Sequence, residues 1–382
     1  MRILFTCAGG SGHLEPLIAI AHAASAAGHQ VAFACRPWMV PKAEAFGFTC
    51  FAAGPDTGLT PVRRPLTAVD MEHEIRAIGG GFASRIARER AADLVALCAH
   101  WQPDVLVCEE LDFGAMIAAE RCRLPFASVL VIASGALVRA DVVSEPLNSM
   151  RADYDLAPDP DLTMLSRHLV LSPFPPSYRD PAFPLPATAY SIHPLIPEPS
   201  SDAPIPAWLN ELPDRPTIYF TLGTVFNVES GDLFQRVLTG LRDLPINLIV
   251  TVGHDIDPAE LGAQPANVYI ERYIPQAVLL PRCAMVVSHG GSGSVIGALA
   301  HGLPMVLLPM GADQPLNAQR CEALGVARSL DVMTASASTI HDTVLGVLND
   351  PVYRRAAECP QAEIAALPDA TTAVTALERL VT

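Results

Sequence analysis

Two histidines in this chain stand where proton transfer and anion binding are chemically plausible. His13 follows the apolar run Arg2 to Cys7 through the turn AGGSG, and His289 follows Ala284 to Val287 and opens the string HGGSGS. Each is a short buried strand by composition, and each turn hands over to helical sequence. A strand that feeds a glycine-rich loop into a helix N-terminus presents unpaired amides and the positive end of a helix dipole, an arrangement that suits phosphate. The same dipole disfavours imidazolium, so His13 is expected to stay neutral and able to accept a proton. A loop or cap histidine has equal standing on these grounds, and for His289 taken alone a core histidine is the favoured reading, which the GGSGS beside it shifts toward anion binding. A base of this kind needs a carboxylate on its other ring nitrogen. Glu109, Glu110 and Asp112, just after the apolar run Asp104 to Cys108, are the candidates, with surface charge the alternative. Beyond the strand Leu303 to Leu308 comes GADQPLNA, where Asp313 offers an acceptor-only carboxylate and Gln314 a mixed amide, a pair suited to sugar hydroxyls. Thr224, in the loop TLGTVFN after Thr217 to Leu222, is a further phosphate contact or an ordinary turn threonine.

The elements that must position these residues alternate along the chain. Strand, glycine turn, helix Leu14 to Ala27, Gly28 and strand Gln30 to Cys35 open the sequence, and strand Asp104 to Cys108, helix Phe113 to Cys122 and strand Pro125 to Ile132 continue it. The second half repeats the alternation through Thr217 to Leu222, Leu244 to Val252, Val268 to Glu271, Met285 to Ser288 and Met305 to Leu308. This pattern predicts parallel, doubly wound sheets, and 382 residues predict two domains. Between Pro158 and Pro216 the periodicity fades under prolines, which reads as a linker.

Several function classes are disfavoured. Forty acids against 25 bases give a net charge of −15, which argues against a nucleic-acid partner. Gly10-Ser-Gly12 lacks the third glycine of a dinucleotide fingerprint, Arg36 stands after Cys35 where an acid would bind ribose, and no G-x-x-x-x-G-K occurs. Asp159-Pro-Asp161 and Asp255-Ile-Asp257 read as a turn and a helix cap, so no metal is expected. Nine cysteines at wide spacings read as reduced thiols. The opening segment breaks its apolar run too early for a secretory signal, and no uncharged run reaches the roughly 18 residues of a membrane span, so the expected location is cytoplasmic.

Tyr273-Ile274-Pro-Gln276, then His289-Gly290-Gly291-Ser292-Gly293-Ser294, then Asp313-Gln314 with Asn317-Ala318, together with Gly12-His13-x-x-Pro16, resemble the signature of family 1 glycosyltransferases, most closely the bacterial branch that decorates antibiotics. The likeness runs over essentially the whole chain and is weakest in the middle. It implies an α/β, GT-B fold of two Rossmann-like doubly wound parallel-sheet domains facing a central cleft. Residues 1–200 would bind the acceptor, with a proline-rich linker to about 216; 217–365 would bind the nucleotide sugar; and 366–382 would return as a helix to brace the first domain. By the same resemblance His13 deprotonates the acceptor, supported by Glu109, which stands where the family usually has aspartate, or by Asp112. His289 donates to a diphosphate oxygen, with Gly290, Gly291, Ser292, Gly293, Ser294 and Thr224 around the phosphates. Tyr273 stacks on the base, Ile274 and Gln276 help to hold it, and Asp313 and Gln314 hold the sugar.

Where the plant signature has a glutamate for the ribose hydroxyls this chain has Gly297, which favours a dTDP-linked over a UDP-linked sugar. The sugar nucleotide is a co-substrate, and no cofactor is expected. A small hydrophobic acceptor would be bound around Gly12, Met71, Phe82 and Phe113, from segments that core packing explains equally well. The resulting expectation is an inverting, metal-independent transferase acting on a hydroxyl, free of stable membrane insertion and compatible with a homodimer. The rivals are a sugar-nucleotide hydrolase or epimerase of the same architecture and a non-catalytic accessory protein of a biosynthetic pathway.

Overall fold

The computed structural model describes residues 1–57, 62–194, 205–224 and 226–382, and it divides into two compact units. One comprises Met1–Leu59, Glu72–Leu195 and Ala366–Thr382; the other comprises Thr60–Met71 and Ile196–Ala365.

The first unit is built on a parallel sheet of β1 (Arg2–Cys7), β2 (Gln30–Cys35), β3 (Thr49–Ala52), β4 (Val105–Glu109), β5 (Phe126–Val129), β6 (Leu169–Ser172) and β7 (Ala189–Ser191), in the order β3-β2-β1-β4-β5-β6-β7. Its central strands are apolar on both faces, as crossover helices require: every residue of β4 is buried, and all of β1 except Arg2. The second unit repeats the design with β8 (Thr217–Thr221), β9 (Asn247–Thr251), β10 (Val268–Glu271), β11 (Met285–Ser288), β12 (Met305–Leu307) and β13 (Ala327–Ser329), in the order β10-β9-β8-β11-β12-β13. In each sheet the chain turns back on itself beside its first strand, between β1 and β4 and between β8 and β11. Such a reversal splays successive loops apart at the carboxyl edge and leaves a crevice for a ligand.

The proline-rich stretch is more than a linker. Its residues 169–172 and 189–191 pair in parallel as β6 and β7, extending the first sheet by two strands. Strands of three or four residues set among prolines carry little periodicity, which is why composition concealed them. Residues 195–204 of the same stretch lie outside the described residues. Asp159 caps a turn through Thr163 and Met164, and Asp257 forms a capping box with Glu260. The last helix, Ala370–Val381, packs within the first unit: Ala373, Val374 and Leu377 join one apolar cluster with Leu14, Leu17 and Ile18 of the helix Ser11–Ala26.

Asp112 is the first correction to the candidate residues. Its carboxylate is fully buried and gripped by Arg90 of the helix Ala87–Trp101, Nε to Oδ1 at 2.8 Å and Nη2 to Oδ2 at 2.5 Å. Arg90 also donates to the carbonyls of Ala53 and Ala34, and Asp112 caps the helix Phe113–Cys122. With both oxygens engaged by a guanidinium, Asp112 ties helices to the sheet and is not the partner of His13. Phe113 is corrected with it, since a ring with no exposed surface belongs to the core and lines no acceptor site. Removing one member of such a buried pair strands the other charge, at a cost of about 3–5 kcal/mol. Urea unfolding of Asp112→Ala is expected to show that loss, largely recovered in the double variant Arg90→Met/Asp112→Leu; a loss under about 1 kcal/mol would contradict the assignment.

Candidate active site

In the first unit the helix Ser11–Ala26 begins directly after β1, with Gly10 as its N-cap, so His13 lies in the first turn. Glu109 is the last residue of β4, the strand beside β1 across the reversal point. This neighbourhood brings His13 Nδ1 to 3.1 Å from Glu109 Oε2. The carboxylate is itself fixed: Oε1 accepts from the Ala8 amide at 3.2 Å and Oε2 from the Leu111 amide at 2.7 Å. A fully buried acceptor on Nδ1 selects the tautomer with the proton there and leaves Nε2 as the basic nitrogen. A Cβ on Gly9 would fall 2.3 Å from the imidazole, so the ring lies directly on glycine backbone. The Phe82 ring runs parallel to it, with centroids 5.7 Å apart.

Neighbouring Glu110 has a different task. Its Oε2 accepts from the amides of Val131 and Ile132, and burial raises its pKa against the opposing pull of Arg179. Of the remaining acceptor candidates, Gly12 is exposed in the first turn of the His13 helix. Met71 opens the helix Met71–Ala77 at the boundary between the segments Thr60–Met71 and Glu72–Leu195.

In the second unit the helix Ser292–Ala300 starts after β11 with Gly291 as N-cap and no side-chain cap, so its first amides point into the turn. His289, one residue past β11, is only 9% exposed. Gly223, which follows β8 across the reversal point and adopts φ +75°, would place a Cβ 2.7 Å from the imidazole, and Gly291 would place one 2.6 Å from Nε2. The ring is therefore enclosed between two glycines that bring backbone against it. Burial lowers its pKa to about 4, while a hydrogen bond to the Thr221 backbone pulls the other way.

The Asp313 carboxylate is clasped locally: its Oδ2 accepts from Ser292 Oγ at 2.6 Å and from Asn317 Nδ2 at 2.7 Å, and Asn317 also donates to the Gly290 carbonyl. These bonds join the glycine-rich turn to the loop after β12 in one rigid edge. Gln314 is nearly buried and its Oε1 accepts from the Met310 amide, so that carbonyl holds the loop in shape. Gln276, expected to touch a base, opens the short helix Gln276–Leu279 and is only partly exposed. Ile274 has a buried side chain, Tyr273 is 54% exposed, and Thr224 and Gly293 are exposed on the same edge.

Sequence reasoning missed Gly9 and Gly223 as the surfaces on which the two histidines rest. It also missed Asn227, which donates to the Val252 carbonyl and anchors the loop after β8. Only the presence of glycine beside each histidine motif hinted at the first two.

Residues 22–223 and 235–380 match the N-terminal and C-terminal domains described as erythromycin biosynthesis protein CIII-like. The chain belongs to that family. Its GT-B fold is shared with the glycosyltransferase VinC solved in complex with dTDP, at TM-score 0.80 and 25% identity over 100% of this chain and 99% of that one. The spinosyn rhamnosyltransferase SpnG complexed with thymidine diphosphate aligns at TM-score 0.82 and 22% identity, over 99% of this chain and all of that one. Among curated relatives, tylactone mycaminosyltransferase of Streptomyces fradiae is 27% identical over 100% of this chain and 92% of its own length. The 3-alpha-mycarosylerythronolide B desosaminyl transferase of Saccharopolyspora erythraea is 27% identical over 100% and 98%. This CIII-like chain is accordingly a glycosyltransferase of the natural-product class. Among the described residues no helix is long and apolar enough to cross a membrane.

The buried imidazole of His289 carries a pH signature. A histidine whose folded pKa falls from 6.5 to about 4 binds fewer protons folded than unfolded, so stability is full above about pH 6.5 and declines as pH falls toward 4. The decline from this one group is of the order of 3 kcal/mol. Urea titrations at stepped pH are expected to show a shallower decline in His289→Asn than in the parent protein; identical slopes would assign the acid sensitivity elsewhere.

Proposed function

We propose that this glycosyltransferase is inverting and metal-independent, and that it moves a deoxysugar from a dTDP donor to a hydroxyl of a hydrophobic natural-product acceptor. The observation that carries the proposal is the His13–Glu109 pair: a partly buried imidazole whose Nδ1 lies 3.1 Å from a buried carboxylate, leaving Nε2 to accept a proton. The acceptor oxygen, losing its proton to Nε2, attacks the anomeric carbon as the bond to the diphosphate breaks. A single displacement inverts that carbon. Glu109 steadies the imidazolium that forms.

The second unit binds the donor. The uncapped amides of the helix Ser292–Ala300 and its dipole meet the diphosphate and offset its charge without a cation. An anion beside His289 raises the proton affinity of the imidazole, so a ring N–H meets the charge that develops on the leaving group. Asp313, held by Ser292 and Asn317, offers an acceptor to the sugar hydroxyls. Support for dTDP comes from the thymidine diphosphate named with two structural neighbours and from Gly297, which brings no carboxylate to a ribose 2′-hydroxyl.

His13→Ala is expected to lower turnover by about 100- to 10,000-fold while leaving dTDP affinity within about twofold, since a missing base costs that much and touches no donor contact. Glu109→Gln should lower kcat with little change in KM, and His289→Ala should cost on the order of 100-fold. Near-normal transfer by His13→Ala would remove the base from the mechanism. Mass spectrometry of donor incubated with and without acceptor separates transfer from hydrolysis or epimerisation.

Competition supplies an independent check of the nucleotide. Displacement of a bound dTDP-sugar by dTDP is expected at lower concentration than by UDP, and a clear preference for UDP would overturn the choice of base.

A further inference from the structure

The edge of the second sheet carries an aromatic group that the mechanism above does not use. β9 and β10 are adjacent and parallel, with Thr251 opposite Glu271, and the ladder runs on past both strands as Val252 and Gly253 donate to the carbonyls of Glu271 and Arg272. The next residues along each strand, His254 and Tyr273, therefore leave the same edge side by side. Their rings are stacked, centroids 5.8 Å apart and planes inclined by 26°, and both residues are exposed.

The loop that presents His254 is held from below. Arg272 Nη1 donates to the carbonyls of His254 at 2.9 Å and Ile256 at 3.1 Å, and Nη2 pairs with Asp257 at 3.4 Å. Ile256 is buried in the apolar cluster, and Asp257 caps the following turn. A solvent-exposed ring on so constrained a loop is preorganised, with little ordering left to pay for on binding.

We infer that His254 is a positioning residue for the base of the donor: it backs the Tyr273 ring, and the two form one aromatic platform whose outer face takes the base. This rests on the reading of the second unit as the nucleotide site. Spacing decides how the two rings act. A base inserted between them would need about 7 Å, two van der Waals gaps of about 3.5 Å, and the rings stand closer than that. They therefore form a shelf and not a slot: the base lies on the outer face of the Tyr273 ring, and His254 backs that ring from behind. Such stacking tolerates different bases, so the shelf supplies affinity rather than choice of pyrimidine.

Calorimetric titration of the whole protein with dTDP, and separately with inorganic pyrophosphate, tests this. His254→Ala is expected to weaken dTDP binding about tenfold, within the range found for loss of one stacking partner, and to leave pyrophosphate binding unchanged. His254→Phe should restore dTDP affinity to within about twofold, because a ring and not a charge is required. If His254→Ala binds dTDP normally while Tyr273→Ala does not, the second ring is no part of the platform and this inference falls, although the donor site stands. If His254→Phe fails to restore binding, the inference falls as well. If both alanine variants bind dTDP normally, the nucleotide sits elsewhere and the underlying reading falls too.

Discussion

Parallel pairing with a reversal of strand order governs where chemistry can occur in this molecule. In each sheet two neighbouring strands, β1 with β4 and β8 with β11, send their following loops to opposite faces, so the backbone between them is left without a covering connection. The residues that emerge there are His13 and Glu109 in one unit and Gly223 and His289 in the other. Their proximity is inherited from the hydrogen-bond ladder: Thr6 lies opposite Cys108 and Thr221 opposite Ser288, which sets the partners only a few atoms apart.

Three carboxylates within four residues illustrate how position in that framework assigns roles. Glu109 ends its strand and reaches the imidazole, Glu110 turns to the amides of Val131 and Ile132, and Asp112 disappears into the grip of Arg90. All are buried, and each is satisfied by a different kind of donor: an imidazole with backbone amides, backbone amides alone, and a guanidinium. A buried carboxylate without such partners would be costly, so every partner here also secures the geometry of its neighbours.

Much of this was legible in the residues themselves. The parallel strands announced themselves through apolar runs, and the two glycine-rich turns marked the helix starts with fair accuracy, because backbone chemistry there is local. The choice between Glu109 and Asp112 was not legible, since it depends on Arg90, a residue 22 positions upstream of Asp112 that reaches it only through packing. β6 and β7 were hidden because short strands between prolines owe their existence to a waiting sheet edge and not to their own propensity. The assignment of Thr60–Met71 to the second unit was equally invisible: Arg64 donates to the Val228 carbonyl and Arg63 pairs with Glu260, and no periodicity signals such pairings.

The last helix has an implication for how the chain is made. Ala373, Val374 and Leu377 complete the apolar layer over Leu14, Leu17 and Ile18, yet the whole of Ile196–Ala365 is synthesised before they appear. At ribosomal speeds of 5–20 residues per second that interval is roughly 10–30 s. During it the nascent first unit carries an unsheathed greasy flank while its neighbour is still being threaded out, a window in which chaperone occupancy or misassembly would be decided.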